Sequence, residues 1–170
     1  AAGLKGSAPG RNAAGRYPML NLEKAEEKIS EELSGLACDS EAYWGYDKNY
    51  MDQFRRYYNV TADFIRSNPV RVLKEGDRTV GFFGLQSNES NWQLEFFYVC
   101  AASIGKGYGR NLWNELLAFC REERIGRFEF VTSPQAVPFY EKMGARVVGE
   151  EASLLKKGRT IPKLLYSLEE

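Results

Sequence analysis

The chain has 170 residues, 44% of them hydrophobic and 14% aromatic, which suits one folded domain with a sizeable core. Its 23 basic and 23 acidic side chains cancel, and this balance disfavours a nucleic-acid partner held through its phosphates. Histidine is absent, which excludes the commonest general base and the Ser-His triads and disfavours a metal site.

No apolar run approaches the length of a membrane span, and no secretory signal pattern is visible, so we expect a cytoplasmic protein with no membrane partner. Residues 1–17 are rich in Ala and Gly, contain no acidic side chain and show no periodicity. We expect them to be a disordered tail or a cloning remnant, which leaves residues 18–170 as the domain.

The first part of the domain predicts one short strand and three helices. Met19–Leu22 is the candidate strand, and apolar residues at helical spacing predict a helix over about residues 24–36. A second helix carries Tyr50, Met51, Phe54, Tyr57 and Tyr58. A third begins after Thr61, a typical N-cap, and must end before Pro69.

The periodicity then changes to that of strands. Val70–Leu73 and Thr79–Leu85 flank the turn EGD and predict a hairpin, and Trp92–Val99 predicts a long third strand. Strict alternation along this strand places Glu95 on the face of Phe97 and Val99.

The second half predicts two helices and three strands. One helix follows Gly109, has an apolar face and stops at Gly126; its apolar residues are Leu112, Trp113, Leu116, Leu117 and Cys120. Phe128–Thr132 is a strand, and a short helix closed by Gly144 carries Ala136, Phe139, Tyr140 and Met143. Strands near Ala145–Leu154 and Ile161–Leu168 complete one α/β domain with a mixed sheet.

The segment VCAASIGKGYGR, residues 99–110, links the third long strand to the helix that follows it. Gly105, Gly107 and Gly109 let the backbone turn tightly, so that successive N–H groups face one concavity at a helix N-terminus. Such a loop suits phosphate groups. By itself it also fits a plain strand-to-helix turn, since its spacing matches neither a Walker loop nor the dinucleotide fingerprint.

Two motifs together resemble the GNAT superfamily of acetyl-CoA-dependent N-acetyltransferases. LEFFYVCAASIGKGYGRNLW carries the family's phosphate motif over residues 104–109, and SPQAVPFYEKMGARVVGE carries its second motif, A-x-x-F-Y-x-K-x-G. EAYWGYDKNYM and GRTIPKLLYSL extend the resemblance toward a branch of small bacterial-type enzymes, over about residues 19–169. The family's usual Arg or Gln is Ile104 here, and its usual Pro before the loop is Ala101.

The resemblance implies the GNAT fold, an α+β domain whose six or seven strands splay apart between the fourth and the fifth. Acetyl-CoA would be the cosubstrate, with no metal, and a homodimer is common in the family. The residues implied in binding acetyl-CoA lie in the third long strand, the glycine loop and the second motif: Phe97, Tyr98, Val99, Ile104, Gly105, Lys106, Gly107, Tyr108, Gly109, Arg110, Ser133, Ala136, Phe139 and Lys142.

The same resemblance implies direct transfer of acetyl to a primary amine of a small molecule or a protein, within a ternary complex. Tyr140 matches the family's general acid, which assists the departing thiolate. Glu95, a carboxylate in an otherwise apolar strand, is the candidate base; a structural role as a hydrogen-bond acceptor is the alternative.

The segment SEAYWGYDKNY, residues 40–50, is the candidate acceptor pocket because its aromatic faces and acidic side chains suit a cationic amine; its candidate contacts are Tyr43, Trp44, Tyr46 and Asp47. Packing of the aromatic residues against the sheet is the alternative. Two other functions stay open: an acyl-CoA-binding sensor or structural module with little turnover, and an enzyme that uses a longer acyl-CoA.

Overall fold

The computed structural model describes residues 19–89 and 91–169, so the predicted tail at residues 1–17 lies outside the described residues. The described chain forms a seven-stranded mixed sheet in the order β1-β2-β3-β4-β5-β7-β6. The strands are β1 Leu20–Lys24, β2 Val70–Glu75, β3 Arg78–Asn88, β4 Asn91–Val99, β5 Arg127–Val131, β6 Arg146–Ala152 and β7 Thr160–Ser167. This order and the flanking helices confirm the predicted fold class.

In residues 19–89 and 91–169, five α-helices cover the sheet: α1 Ser30–Ala42, α2 Lys48–Tyr57, α3 Ala62–Ser67, α4 Tyr108–Glu122 and α5 Val137–Lys142. Two of the N-caps are side chains that accept a backbone N–H, Asp47 from Tyr50 at 2.8 Å and Thr61 from Phe64 at 3.0 Å. In the described residues, no helix is both long enough and apolar enough to cross a membrane.

Two predicted helix boundaries are wrong. The first helix begins at Ser30, after a short 3-10 turn, and runs on to Ala42, because its buried face continues past Leu36 through residues that include polar side chains. The helix α4 ends at Glu122 instead of Gly126, since Arg124 takes the left-handed conformation (φ 58°) and the N–H of Ile125 closes the end on the carbonyl of Cys120 at 2.8 Å.

The predicted strict alternation of the third long strand, β4, is also wrong. Gly84 pairs with Phe96 and Leu85 with Leu94, so Glu95 is the extra residue of a β-bulge. As a result, Leu94 packs into the same hydrophobic cluster as Phe97. Glu95 lies on the other face of the sheet, where its charge acts on Tyr58.

The two faces of the sheet carry separate hydrophobic clusters. The cluster under α4 and α5 is centred on Trp113, whose side chain is fully buried and contacts aromatic rings of both β4 and β5. The cluster under α1, α2 and α3 includes Phe54, Phe82 and Tyr98. Both faces of the sheet are therefore covered by helices over these clusters.

The strands β4 and β5 are neighbours in the sheet with little backbone pairing between them. They run parallel, and among the described residues their only registered pair joins Gln93 to Glu129. Beyond this pair the C-terminal ends of the two strands diverge, which confirms the predicted splay between the fourth and fifth strands. The glycine loop follows β4 and the start of α5 follows β5, so both motifs meet at this opening.

Candidate active site

The glycine loop adopts the left-handed conformations that its sequence predicts. Gly105 has φ 84° and Gly107 has φ 83°, and Gly107 is the N-cap of α4 with no side chain capping the helix. The hydroxyl of Tyr108 donates a hydrogen bond to Glu75 in β2, which anchors the loop to the sheet. The first turn of α4 therefore presents backbone N–H groups and the positive end of the helix dipole.

The loop residues divide into backbone and side-chain contributors. The N–H groups of Ile104 and Lys106 are used inside the loop, on the carbonyls of Ala101 and Ser103 at 3.2 Å each. The side chains of Lys106 and Arg110 are exposed beside the helix start and can reach an anion there. Gly109 is buried, as close packing of the helix on the sheet requires.

A cleft opens at the splay on the α1 and α2 face of the sheet. Its volume is about 360 Å³, which includes its open mouth. Helices α1 and α2, both splayed strands and the β6–β7 turn line it with Glu41, Tyr50, Phe54, Tyr58, Tyr98, Val131, Thr132, Ser133, Ser153, Leu155 and Ile161.

Tyr140 lies between the two splayed strands. Its ring centroid is 5.9 Å from that of Phe97 in β4 and 4.7 Å from that of Phe130 in β5. The side chain is fully buried, and its hydroxyl has no hydrogen-bond partner among the described residues. Burial, and then the charge of Glu41, raises the pKa of this hydroxyl, so Tyr140 stays protonated and can donate a hydrogen bond.

Glu95 is solvent-exposed as a residue, yet its carboxylate is partly desolvated. This desolvation, and then the charge of Glu151, raises the pKa of Glu95 above that of an ordinary glutamate. The bulge places Glu95 on the cleft side of the sheet, although Glu95 is not itself part of the cleft wall. Its carboxylate is therefore suited to accept a proton on the cleft side of the sheet.

Glu41 is a buried carboxylate at the end of α1 and part of the cleft wall. The residue is 5% exposed, and its Oε1 accepts a hydrogen bond from the hydroxyl of Tyr50 at 3.0 Å. Tyr50 in turn stacks on Tyr46, with ring centroids 3.9 Å apart. A charged group is therefore held within an aromatic wall.

The four predicted acceptor contacts lie around the cleft and not in its wall. Asp47 caps α2, Tyr43 is 56% exposed on another surface groove, and Trp44 is half-buried with its indole nitrogen unpaired among the described residues. Tyr46 supports Tyr50 from behind. Within the predicted segment, the side chains that line the cleft are Glu41 and Tyr50.

The residues predicted to bind acetyl-CoA differ in their burial and in their position relative to the cleft. Tyr98 and Ser133 are part of the cleft wall. The side chains of Phe97, Val99 and Ala136 are buried in the α4-side cluster. Phe139 packs against that cluster and Lys142 is exposed. The role of all these residues in binding acetyl-CoA stays a prediction.

Sequence reasoning missed Phe54 and Tyr58 of α2 as cleft residues and did not choose Glu41. The helical spacing of Phe54 and Tyr58 indicated only a buried helix face. The available signal for Glu41 was an acidic residue on the extension of the apolar face of α1, at an i+4 step from Ala37 and an i+8 step from Leu33.

Comparison with known proteins supports the same view of the chain. The family model described as "Acetyltransferase (GNAT) domain" matches residues 25–157, which is most of the described chain. Among curated protein sequences, none is similar enough to match.

Three solved structures illustrate the similarity in fold. The PaiA N-acetyltransferase of Thermoplasma acidophilum, in complex with coenzyme A, has a TM-score of 0.71 at 18% identity, covering 88% of this chain and 99% of that one. The ribosomal-protein-S18-alanine N-acetyltransferase of Escherichia coli has a TM-score of 0.67 at 12% identity, covering 89% and 96%. The IAA acetyltransferase of Bacillus cereus ATCC 14579 has 0.62 at 18%, covering 88% and 100%.

Proposed function

Because this chain belongs to the GNAT acetyltransferase family, we propose that it transfers acetyl from acetyl-CoA directly to a primary amine, within a ternary complex. The observation that carries the proposal is the hydroxyl of Tyr140. It is fully buried between the splayed strands, has no partner among the described residues and stays protonated. A buried hydroxyl without a partner is costly in folding, so its presence suits a donor that bonds to a substrate.

Acetyl-CoA would lie along the opening between β4 and β5, with its pyrophosphate at the start of α4. Backbone N–H groups there, together with Lys106 and Arg110, would hold the phosphates. The extended arm would run between β4 and β5, which are free to separate beyond their one registered pair. Tyr98 and Ser133 would flank the arm where the cleft begins.

The transfer step follows from the chemistry of amide formation. The amine nitrogen attacks the thioester carbonyl, so that a C–N bond forms and the C–S bond breaks. The proton lost by the nitrogen passes to a carboxylate, which we assign to Glu95, directly or through water. The sulfur leaves as a thiolate and takes a hydrogen bond or a proton from Tyr140.

The raised pKa of Glu95 and the raised pKa of Tyr140 fit these opposite roles. A carboxylate with a raised pKa is a stronger base than an ordinary glutamate once it is ionised. A tyrosine with a raised pKa keeps its proton until negative charge develops beside it. Both effects have burial as their first cause, which is also what water exclusion from the cleft requires.

The test is release of free thiol from acetyl-CoA in the presence of a panel of primary amines, with direct calorimetry of coenzyme A binding in parallel. We expect binding and amine-dependent thiol release. Binding without release on any amine would favour the acyl-CoA sensor. No binding would overturn both functions.

A further inference from the structure

The wall of the cleft contains a carboxylate, that of Glu41, with which no described lysine or arginine pairs. Glu41 is 5% exposed, and its one described hydrogen bond comes from a neutral hydroxyl, that of Tyr50, at 3.0 Å. In the part of the chain that the structure describes, no lysine or arginine forms an ion pair with it. A buried carboxylate is stabilised mainly by a positive partner, and here the open side of the residue is the cleft.

The walls around Glu41 are aromatic. Tyr50, Phe54, Tyr58 and Tyr98 line the same cleft. Ring faces attract cations, and the attraction grows when water is excluded. Burial is the first cause that raises the pKa of Tyr50, of Tyr58 and of Tyr98, and the charge of Glu41 is the second, so these side chains stay neutral beside the carboxylate.

Two further charged side chains near the cleft, Glu151 and Lys163, are bound to each other and add no free positive charge. Glu151 in β6 lies opposite Ile161, a cleft residue, and its charge acts on Glu95 and Tyr58. The nearby ammonium of Lys163 is held by Glu129 at 3.1 Å and by Glu151 at 3.2 Å. A carboxylate on the ligand would therefore meet repulsion and would find this cation already engaged.

We propose that Glu41 binds the ammonium group of the acceptor, and that the cleft selects primary amines with no carboxylate on the carbon that bears the nitrogen. The transfer of acetyl to that amine rests on the proposed function, but the binding does not. Glu41 is a second carboxylate, in addition to Glu95. Glu41 holds the incoming ammonium, Glu95 takes the first proton and so frees the lone pair of the nitrogen, and the second proton, lost after the attack, goes to the departing sulfur through Tyr140.

The test measures amine binding by calorimetry on the protein saturated with coenzyme A, which cannot donate acetyl. The ligands are two pairs that differ only by the carboxylate, butylamine with norvaline and phenethylamine with phenylalanine. The variants are Glu41→Gln, which keeps an acceptor for the hydroxyl of Tyr50, and Glu31→Gln as the control, an exposed acidic residue on the same helix.

We expect the simple amines to bind at least about tenfold more tightly than their carboxylated partners. Glu41→Gln should weaken amine binding about tenfold or more, the effect of losing a hydrogen bond to a charged group, and should leave the affinity for coenzyme A unchanged. In turnover, the KM for the amine should rise while the KM for acetyl-CoA stays constant. The variant Glu31→Gln should match the wild type in all of these.

Three results would overturn the inference: no amine binding by the wild type, equal binding of the carboxylated partners, or wild-type amine affinity in Glu41→Gln. Amine binding that depends on Glu41 without any thiol release would leave this inference standing while the proposed acetyl transfer fails. A thermal melt of Glu41→Gln separates a folding defect from a binding defect, and near-native Tm with lost amine binding supports the inference.

Discussion

The side-chain amide of Gln135 donates a hydrogen bond to the hydroxyl of Tyr46, across 89 positions of sequence. Gln135 follows β5 and Tyr46 lies in the α1–α2 connection, so this bond joins the two loops on either side of the cleft. Tyr46 also stacks on Tyr50, which bonds to Glu41. The position of the buried carboxylate is thus tied to the loop that begins the second sequence motif.

Replacing Tyr140 by Phe should separate catalysis from stability. The change removes the proposed donor and should lower kcat by about 10²- to 10⁴-fold. It also removes a buried hydroxyl that has no described partner, a group that costs about 1–3 kcal/mol to bury, so the Tm should stay the same or rise. The control is Tyr166→Phe, a tyrosine that stacks on Phe128 at the far side of Trp113. A drop in Tm with unchanged kcat for Tyr140→Phe would mean that the hydroxyl is structural.

When kcat/KM is measured as a function of pH, its rise on the acidic side, the acidic limb of the profile, should report the deprotonation of Glu95. Its raised pKa means that the carboxylate is protonated, and inactive as a base, up to a higher pH than an ordinary glutamate, so activity should rise with pH through that raised pKa. Glu151→Gln removes a negative neighbour, lowers the pKa of Glu95 and should move the limb to lower pH. Glu95→Gln should abolish the limb, and the exposed Glu23→Gln should leave it unmoved. An unchanged limb in Glu95→Gln would assign the base elsewhere.

Two glycines with nearly equal φ angles provide a test of the proposed phosphate site. Gly107 has φ 83° at the start of α4, and Gly158 has φ 80° in the β6–β7 turn. Alanine at either position should lower the free energy of unfolding by about 1–2 kcal/mol, because a side chain is strained in this conformation. Only Gly107→Ala should also weaken coenzyme A binding, measured by calorimetry. Equal loss of affinity in both variants would indicate a general effect of destabilisation.

Gly81 in β3 tests how closely β3 packs against β4 and α4. A Cβ there would lie 2.9 Å from the carbonyl oxygen of Tyr98 and 3.3 Å from a methyl of Leu112, so Gly81→Ala should destabilise the fold by about 1–3 kcal/mol in chemical denaturation. Gly149→Ala in β6 has no atom within 4 Å of its Cβ and serves as the control. Wild-type stability of Gly81→Ala would show that β4 shifts freely.

Sequence reasoning predicted the elements well because each depends on local patterns. The caps at Thr61 and the turn at Gly144 are set by residues a few positions away, and the helical face of α4 repeats without interruption. The resemblance to the GNAT family added the splay between the fourth and fifth strands, which periodicity alone does not provide.

The errors arose where a tertiary contact overrides the local pattern. The bulge at Glu95 depends on the pairing of β4 with β3, so an alternating sequence gives no sign of it. The cleft wall combines α1, α2, β4, β5 and the β6–β7 turn, and Glu41 acquires its environment only when these meet. No short window of sequence contains that information.

Among the described residues, β4 and β5 share one registered pair. The backbone of the sheet therefore consists of two hydrogen-bonded units, β1–β4 and β5–β7, with little pairing between them. What joins the units is the aromatic contact of Trp113 and Tyr140 with rings from both sides. Side-chain contacts tolerate small relative displacements, whereas a ladder of backbone bonds would have to break to permit them. A sheet built in this way permits small changes in the width of the opening without loss of its secondary structure.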